Sequence, residues 1–132
     1  MEENKTELRK QYGHKIVHAS DIAERYPFEK RDEVIVMCHG TFDLVHPGHI
    51  RHLLYAKDKG DLLVVSLTCD AHVTKANYRP YVPEELRAIN LAALELVDFV
   101  VVDHNPTPLE LLESVRPNIF VKGYEYISDG LH

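Results

Sequence analysis

Residues 34–49 read VIVMCHGTFDLVHPGH, and within this segment a buried strand runs into the start of a helix. Residues 34–38 are all apolar and rich in β-branched side chains, a pattern typical of a parallel strand covered on both faces. Pro47 suits the first turn of a helix. Apolar residues then recur at helical spacing from Ile50 until Gly60 offers a stop. The segment predicts a strand, a loop and a helix in succession.

The same alternation continues along the rest of the chain. Strands are predicted at residues 62–67, 99–102 and 118–121, and a helix is predicted to begin at Pro83. A further helix start is predicted at Thr107, where Glu110 completes a capping-box pattern. Alternating strands and helices indicate parallel strands with right-handed crossovers. We therefore predict the α/β class, a Rossmann-like doubly wound parallel sheet, and the 132 residues leave room for a single domain.

The first 33 residues are polar and charged and lack this alternation. We predict that residues 1–33 form an N-terminal extension, with one short amphipathic helix at residues 21–26 behind Ser20 as its cap. The domain itself is predicted to cover residues 34–132.

Composition and charge exclude several classes of protein. Fifteen Lys and Arg against 21 Asp and Glu leave a formal net charge of −6, the wrong sign for a general nucleic-acid binder. The longest apolar runs are far shorter than the roughly 20 residues that span a bilayer. Cys38 and Cys69 form neither a CxxC pair nor a disulfide framework, and no signal peptide is visible at the N-terminus. We expect a cytoplasmic protein without a membrane segment.

The loop after the first strand contains groups suited to an anion, although it matches neither GxGxxG nor a P-loop. Gly40 permits a tight turn, and the Thr41 hydroxyl can donate to an anionic oxygen. His46 and His49 bracket the expected helix start, where unpaired amides and the helix dipole favour an anion. Gly48, between them, leaves room for a group to lie against the backbone. The loop predicts a site for a phosphorylated ligand.

Other interpretations of these residues stay open. A histidine near a helix start is often only a cap, and His46, His49 and His52 are spaced three apart, which is also compatible with a zinc site. Asp43 either caps the turn or orients a His or Lys partner.

Residues 40–43 and 46–49 read GTFD and HPGH, which resembles the GxFD and HxGH signature of the cytidylyltransferase-like nucleotidyltransferases. The likeness covers about residues 34–126. It is greatest to the adenylyltransferase half of the bifunctional enzymes that make ADP-heptose.

This resemblance implies transfer of a nucleoside monophosphate from CTP or ATP to a sugar phosphate or phospho-polyol, with release of pyrophosphate. It implies catalytic roles for His46, His49 and Lys75, and it makes Arg79 the candidate for the acceptor phosphate. Without the likeness, Arg79 and Arg87 would be surface residues that pair with nearby carboxylates (Asp70, Glu84 or Glu85). The implied nucleotide-binding residues are Gly40, Thr41, Phe42, Asp43, Gly48, Lys122 and Gly123.

The resemblance also bears on cofactors and partners. Mg²⁺ is expected to bind through phosphate oxygens, without dedicated protein ligands, and a homodimer is expected by analogy. The family usually carries a Ser/Thr-rich signature segment after the region seen here, and we expect the domain to lack it. The alternative function is therefore a nucleotide-binding module that does not turn over and is part of a larger assembly.

Overall fold

The computed structural model of the chain describes residues 2–73 and 80–122. At its centre four parallel strands form one sheet: β1 (Ile35–Gly40), β2 (Leu62–Thr68), β3 (Phe99–Asp103) and β4 (Ile119–Val121). The strand order is β3-β2-β1-β4. The predicted α/β doubly wound class is confirmed, and each predicted strand lies within two residues of its observed bounds.

Five helices accompany the sheet: α1 (Glu2–Tyr12), α2 (Ala19–Arg25), α3 (Pro47–Lys57), α4 (Glu84–Ala92) and α5 (Leu109–Val115). Short 3₁₀ turns occur at Gly13–Lys15 and Asp70–His72. Among the described helices, none is both long enough and apolar enough to cross a membrane.

Helices cover both faces of the sheet, which explains the unbroken apolar run of β1. Successive strand residues point to opposite faces. Ile35 and Met37 pack with α2 and α5, whereas Val36 and Cys38 pack with α3 and α4. Every residue of β1 is therefore buried, and this burial raises the pKa of the Cys38 thiol to about 12.

The order of the strands locates the ligand edge. From β1 the chain adds β2 and then β3 on one side, and it returns to place β4 on the other side of β1. The order thus reverses between β1 and β4. In open parallel sheets, ligands bind beyond the carboxyl ends of the strands at this switch point. Here those ends are Gly40 and the residue after Val121, Lys122.

The segment predicted as an N-terminal extension packs against the sheet. Ile16 forms a bridge with Val100 of β3, and the Val17 N–H donates to the Val100 carbonyl at 2.9 Å. Ile22 of α2 is fully buried in the core on the α5 side. Residues 16–25 therefore contribute to the hydrophobic core, and the domain boundary at residue 33 stays a prediction.

Two helix starts were predicted wrongly. Ser20 lies inside α2, and the residue that precedes this helix is His18, whose N–H donates to the Asp21 carboxylate at 2.9 Å. With Thr107 as its cap, helix α5 would begin at Pro108, but it begins at Leu109. Pro108 occupies the cap position instead and has no polar side chain, so the expected capping box does not start this helix.

The substitution Ile22→Val tests whether α2 belongs to the cooperative core. It is expected to lower the free energy of unfolding by about 0.5–1.5 kcal/mol, because a buried methylene is removed and the site collapses only in part. Urea unfolding measures this change. Ile50→Val, at a half-buried position of α3, is the control and should have a smaller effect. An unchanged midpoint for Ile22→Val would show that α2 packs outside the core.

Candidate active site

Two imidazoles meet at the start of α3. His46 is the residue immediately before the helix, and its Nδ1 accepts a hydrogen bond from the Gly48 N–H at 3.0 Å. The His49 Nδ1 accepts from the His46 N–H at 3.2 Å, and the two ring centroids are 4.0 Å apart. The structure thus brings together the two histidines that the sequence singled out.

These backbone contacts define which ring nitrogen carries the proton. A neutral imidazole has one acceptor and one donor nitrogen. Because Nδ1 accepts a backbone hydrogen bond in His46 and in His49, the neutral form of each ring carries its proton on Nε2. Each ring therefore has an Nε2–H donor on the side opposite its backbone contact.

The first amides of α3 are already bonded within the helix start. Pro47 has no N–H, Gly48 donates to the His46 side chain, and the His49 N–H donates to the His46 carbonyl at 2.9 Å. The Ile50 N–H also donates to that carbonyl, at 3.2 Å. The expectation that unpaired amides favour an anion here is therefore wrong. An anion bound at this helix start would therefore be contacted by side chains rather than by these amides.

A left-handed residue shapes the turn after β1. Phe42 has φ 53° and is 3% exposed, and its ring lies 5.6 Å from the His49 ring between centroids. A Cβ on Gly40 would lie 3.0 Å from the Phe42 ring, a tight contact. Gly40 thus leaves room for the Phe42 ring, which in turn packs near His49.

Asp43 bonds to the backbone of a second loop. Its buried carboxylate accepts from the Tyr81 N–H at 3.0 Å and from the Val82 N–H at 2.9 Å. Of the two roles left open for Asp43, these contacts correspond to a backbone cap, although it caps a distant loop and not its own turn. Asp43 therefore holds the segment before α4 next to the GTFD turn.

Arg87 is a buried residue that the sequence analysis placed on the surface. It is 0% exposed and pairs with Asp70 at 2.6 Å. The same guanidinium donates to the carbonyls of Thr41 (2.8 Å), Thr68 (2.7 Å) and Val82 (2.8 Å). One side chain thus joins the loop after β1, the end of β2 and the segment before α4.

The helical period contained a signal for this position. Leu91 lies four residues after Arg87 on α4 and is fully buried, whereas Ala93, the residue after the helix, is exposed. The buried face of α4 therefore includes Arg87.

A second polar side chain at the ligand edge was also missed. His39 of β1 is 9% exposed, with its Nδ1 2.7 Å from the Ser66 Oγ and its Nε2 3.3 Å from the Thr68 Oγ1. Together with Lys122 it borders a cavity of about 160 Å³. Lys122 itself is exposed and directly follows β4, at the predicted place.

Three of the predicted site residues, Lys75, Arg79 and Gly123, lie outside the described residues. Within residues 2–73 and 80–122, no group of three His, Cys, Asp or Glu side chains is arranged to hold a metal ion. The zinc alternative on His46, His49 and His52 therefore has no support from that part of the chain. His52 instead is buried on the sheet side of α3.

Burial of His52 predicts an acid-sensitive fold. Desolvation lowers the pKa of this imidazole, and a hydrogen bond with the Lys122 backbone partly opposes the effect. In the unfolded chain His52 takes up a proton near its ordinary pKa of about 6.5, whereas in the fold it does so only at lower pH. Its contribution to stability is therefore complete above about pH 6.5 and is lost as the pH falls through the folded-state pKa.

Thermal unfolding between pH 8 and pH 5 measures this effect. Because other histidines also titrate in this range, the comparison is with His52→Leu, which should lose less stability on acidification than the wild type. His14→Leu, at an exposed position, should follow the wild type. Parallel losses in wild type and His52→Leu would rule out a contribution from His52.

The chain belongs to the cytidylyltransferase-like family, whose model matches residues 37–130. Among curated relatives, it is 46% identical over 99 residues to the bifunctional protein HldE of Geobacter sulfurreducens, covering 74% of this chain and 20% of that protein. It is 44% identical over 120 residues to the HldE of Koribacter versatilis, covering 89% of this chain and 25% of that protein. The chain thus matches only a fifth to a quarter of these relatives.

A solved structure agrees with this assignment. The lipopolysaccharide core biosynthesis protein from Thermoplasma volcanium superposes with a TM-score of 0.63 at 31% identity, covering 67% of this chain and 72% of that one. The family resemblance inferred from GTFD and HPGH is confirmed.

Proposed function

We propose that the protein is a nucleotidyltransferase that moves a nucleoside monophosphate from ATP or CTP to a phosphorylated small molecule and releases pyrophosphate. The observation that carries this proposal is the pair of imidazoles at the start of α3, beside the switch point of the sheet. Membership of the cytidylyltransferase-like family supports it.

The reaction requires alignment and charge stabilisation more than covalent help from the protein. An oxygen of the acceptor phosphate attacks the α-phosphorus, the bond from that phosphorus to the bridging oxygen breaks, and pyrophosphate leaves with the electron pair. Negative charge spreads over the phosphate oxygens as this happens. The Nε2–H groups of His46 and His49 are the proposed donors to those oxygens, and the Thr41 hydroxyl is a third.

The carboxylates near this site are already engaged by protein groups. Asp43 accepts from two backbone amides, and Asp70 pairs with Arg87. This arrangement fits a Mg²⁺ ion held mainly by the phosphates of the nucleotide, as is common for this ion. When bound there, the ion supplies neutralisation of phosphate charge.

The remaining predicted residues have proposed roles on either side of the imidazoles. Lys122 and Gly123, after β4, are proposed to contact the base. Lys75 and Arg79 are proposed to contact the triphosphate and the acceptor phosphate. The likeness to ADP-heptose enzymes favours ATP as donor.

Pyrophosphate release tests the proposal. The protein is incubated with Mg²⁺, ATP or CTP, and a sugar phosphate, and pyrophosphate is measured over time; release that depends on the sugar phosphate is expected. In parallel, a nucleotide at 100 times its Kd should stabilise the fold by about 2.7 kcal/mol. Stabilisation without pyrophosphate release would favour the alternative of a binding module. Neither effect with any nucleoside triphosphate would contradict both functions.

A further inference from the structure

A second cavity lies between the N-terminal segment and α4. Its volume is about 480 Å³, within the range of small-molecule sites. Gly13, Ile16 and His18 form one wall, and Glu84 at the start of α4 and His104 after β3 belong to the other side. The family model begins only at residue 37, so one wall of this cavity comes from outside the matched region.

Part of the cavity lining lies at the same edge of the sheet as the imidazoles. His104 follows the carboxyl end of β3, and Glu84 begins α4 at this edge. The Glu84 carboxylate accepts from the Asp70 N–H at 2.8 Å. The Asp70 side chain pairs with Arg87, and Arg87 in turn donates to the Thr41 carbonyl, so these contacts connect the cavity lining to the GTFD turn. Two strand spacings, about 10 Å in all, separate the end of β1 from the end of β3. This span suits a sugar phosphate whose phosphate lies near Thr41.

The lining favours a polyol over a base. The aliphatic part of the lining comes from Ile16, Ala88 and Val102, and the described lining contains no Phe, Tyr or Trp on which a base would stack. Histidines and glutamates make up much of the polar part, and these groups donate to and accept from hydroxyls. Arg9 and Glu85, which form an ion pair, also belong to the lining.

We infer that this cavity binds the carbohydrate or polyol part of the phosphorylated acceptor, so that the N-terminal segment sets acceptor selectivity. The inference rests on the proposed function. It places the nucleotide base on the β4 side of the imidazoles and the acceptor carbons on the β3 side.

Calorimetric titration of the whole chain tests this assignment, with heptose 1-phosphate, mannose 1-phosphate, glycerol 3-phosphate and inorganic phosphate as separate probes. At least one sugar or polyol phosphate should bind more tightly than inorganic phosphate. His104→Ala should lower the affinity for that probe about three- to tenfold, the usual effect of one lost hydrogen bond. Gly13→Leu should weaken it more than tenfold by filling the cavity; the backbone permits this change, because a Cβ there meets only Arg9 Cγ at 3.4 Å.

His14→Ala, an exposed neighbour that does not line the cavity, is the matched control and should bind every probe as the wild type does. ATP affinity should be unchanged in all three variants. If both His104→Ala and Gly13→Leu bound the preferred probe with wild-type affinity, the inference would be overturned. It would also be overturned if the wild type bound ATP but bound no sugar or polyol phosphate more tightly than inorganic phosphate. Binding of a sugar phosphate that depends on His104, without any ATP binding, would support the cavity and contradict the proposed nucleotidyl transfer alone.

Discussion

His46→Ala and His49→Ala are each expected to lower the rate of nucleotidyl transfer by about 10²- to 10³-fold, the usual loss for one donor to a developing anion. The physical reason is local. In His49→Ala the early amides of α3 stay bonded to the His46 carbonyl and side chain, so none of them replaces the missing Nε2–H. In His46→Ala the Gly48 N–H loses its acceptor, and this effect is separated from the loss of Nε2–H by a variant that keeps the cap. Initial rates of pyrophosphate release at saturating nucleotide measure the effect.

The same side chains also cap α3, so each alanine variant needs a control that keeps the cap. Asn at position 46 retains an acceptor for the Gly48 N–H, and Gln at position 49 can reach back to the His46 N–H. His46→Asn and His49→Gln should therefore unfold near the wild-type midpoint, whereas His46→Ala loses about 0.5–2 kcal/mol. His46→Ala, His49→Ala and His46→Asn should be equally slow, whereas His49→Gln keeps an amide N–H donor and serves as the control for the cap alone. A rate within a few-fold of wild type in His46→Asn would reduce His46 to a structural cap, and such a rate in His49→Ala would do the same for His49.

Arg87→Met is expected to lower the free energy of unfolding by about 3–5 kcal/mol, as when one partner of a buried ion pair is removed. Three partly buried carbonyls would lose their donor at once, in addition to Asp70. Because Asp70 is partly exposed and keeps some access to water, the lower end of that range is expected. Urea unfolding monitored by circular dichroism measures the loss.

Two further variants accompany Arg87→Met: one that keeps the positive charge without the several N–H donors of the guanidinium, and one control at an exposed position. Arg87→Lys keeps the charge but cannot reach all four acceptors, so an intermediate loss is expected. Arg51→Met, at an exposed position of α3, should change stability by less than about 0.5 kcal/mol. If Arg87→Met were to unfold within 1 kcal/mol of wild type, the loop after β1, the end of β2 and the segment before α4 would be held together by other contacts.

Local patterns in the sequence were sufficient for the sheet and for the paired imidazoles. The β1 run is apolar at every position because both faces are covered, and such a run is visible without knowledge of its partners. Pro47 marks the start of α3 in the same way. His46 and His49 are three residues apart on one helix start, so their proximity follows from helical geometry alone.

Long-range contacts were beyond these patterns. Arg87 finds its acceptors at Thr41 and Thr68, 46 and 19 residues away, and a charged residue on a short helix is usually exposed. Ile16 and Ile22 lie in a polar segment, and only their contacts with the sheet show that this segment contributes to the core.

The central claim is that His46 and His49 hold the phosphates of the nucleotide. A crystal structure of the protein with Mg²⁺ and an α,β-methylene analogue of ATP or CTP tests it most directly. We predict phosphate oxygens within hydrogen-bond distance, about 2.7–3.2 Å, of both Nε2 atoms. Phosphates bound elsewhere on the chain, or both Nε2 atoms turned away from them, would contradict the account.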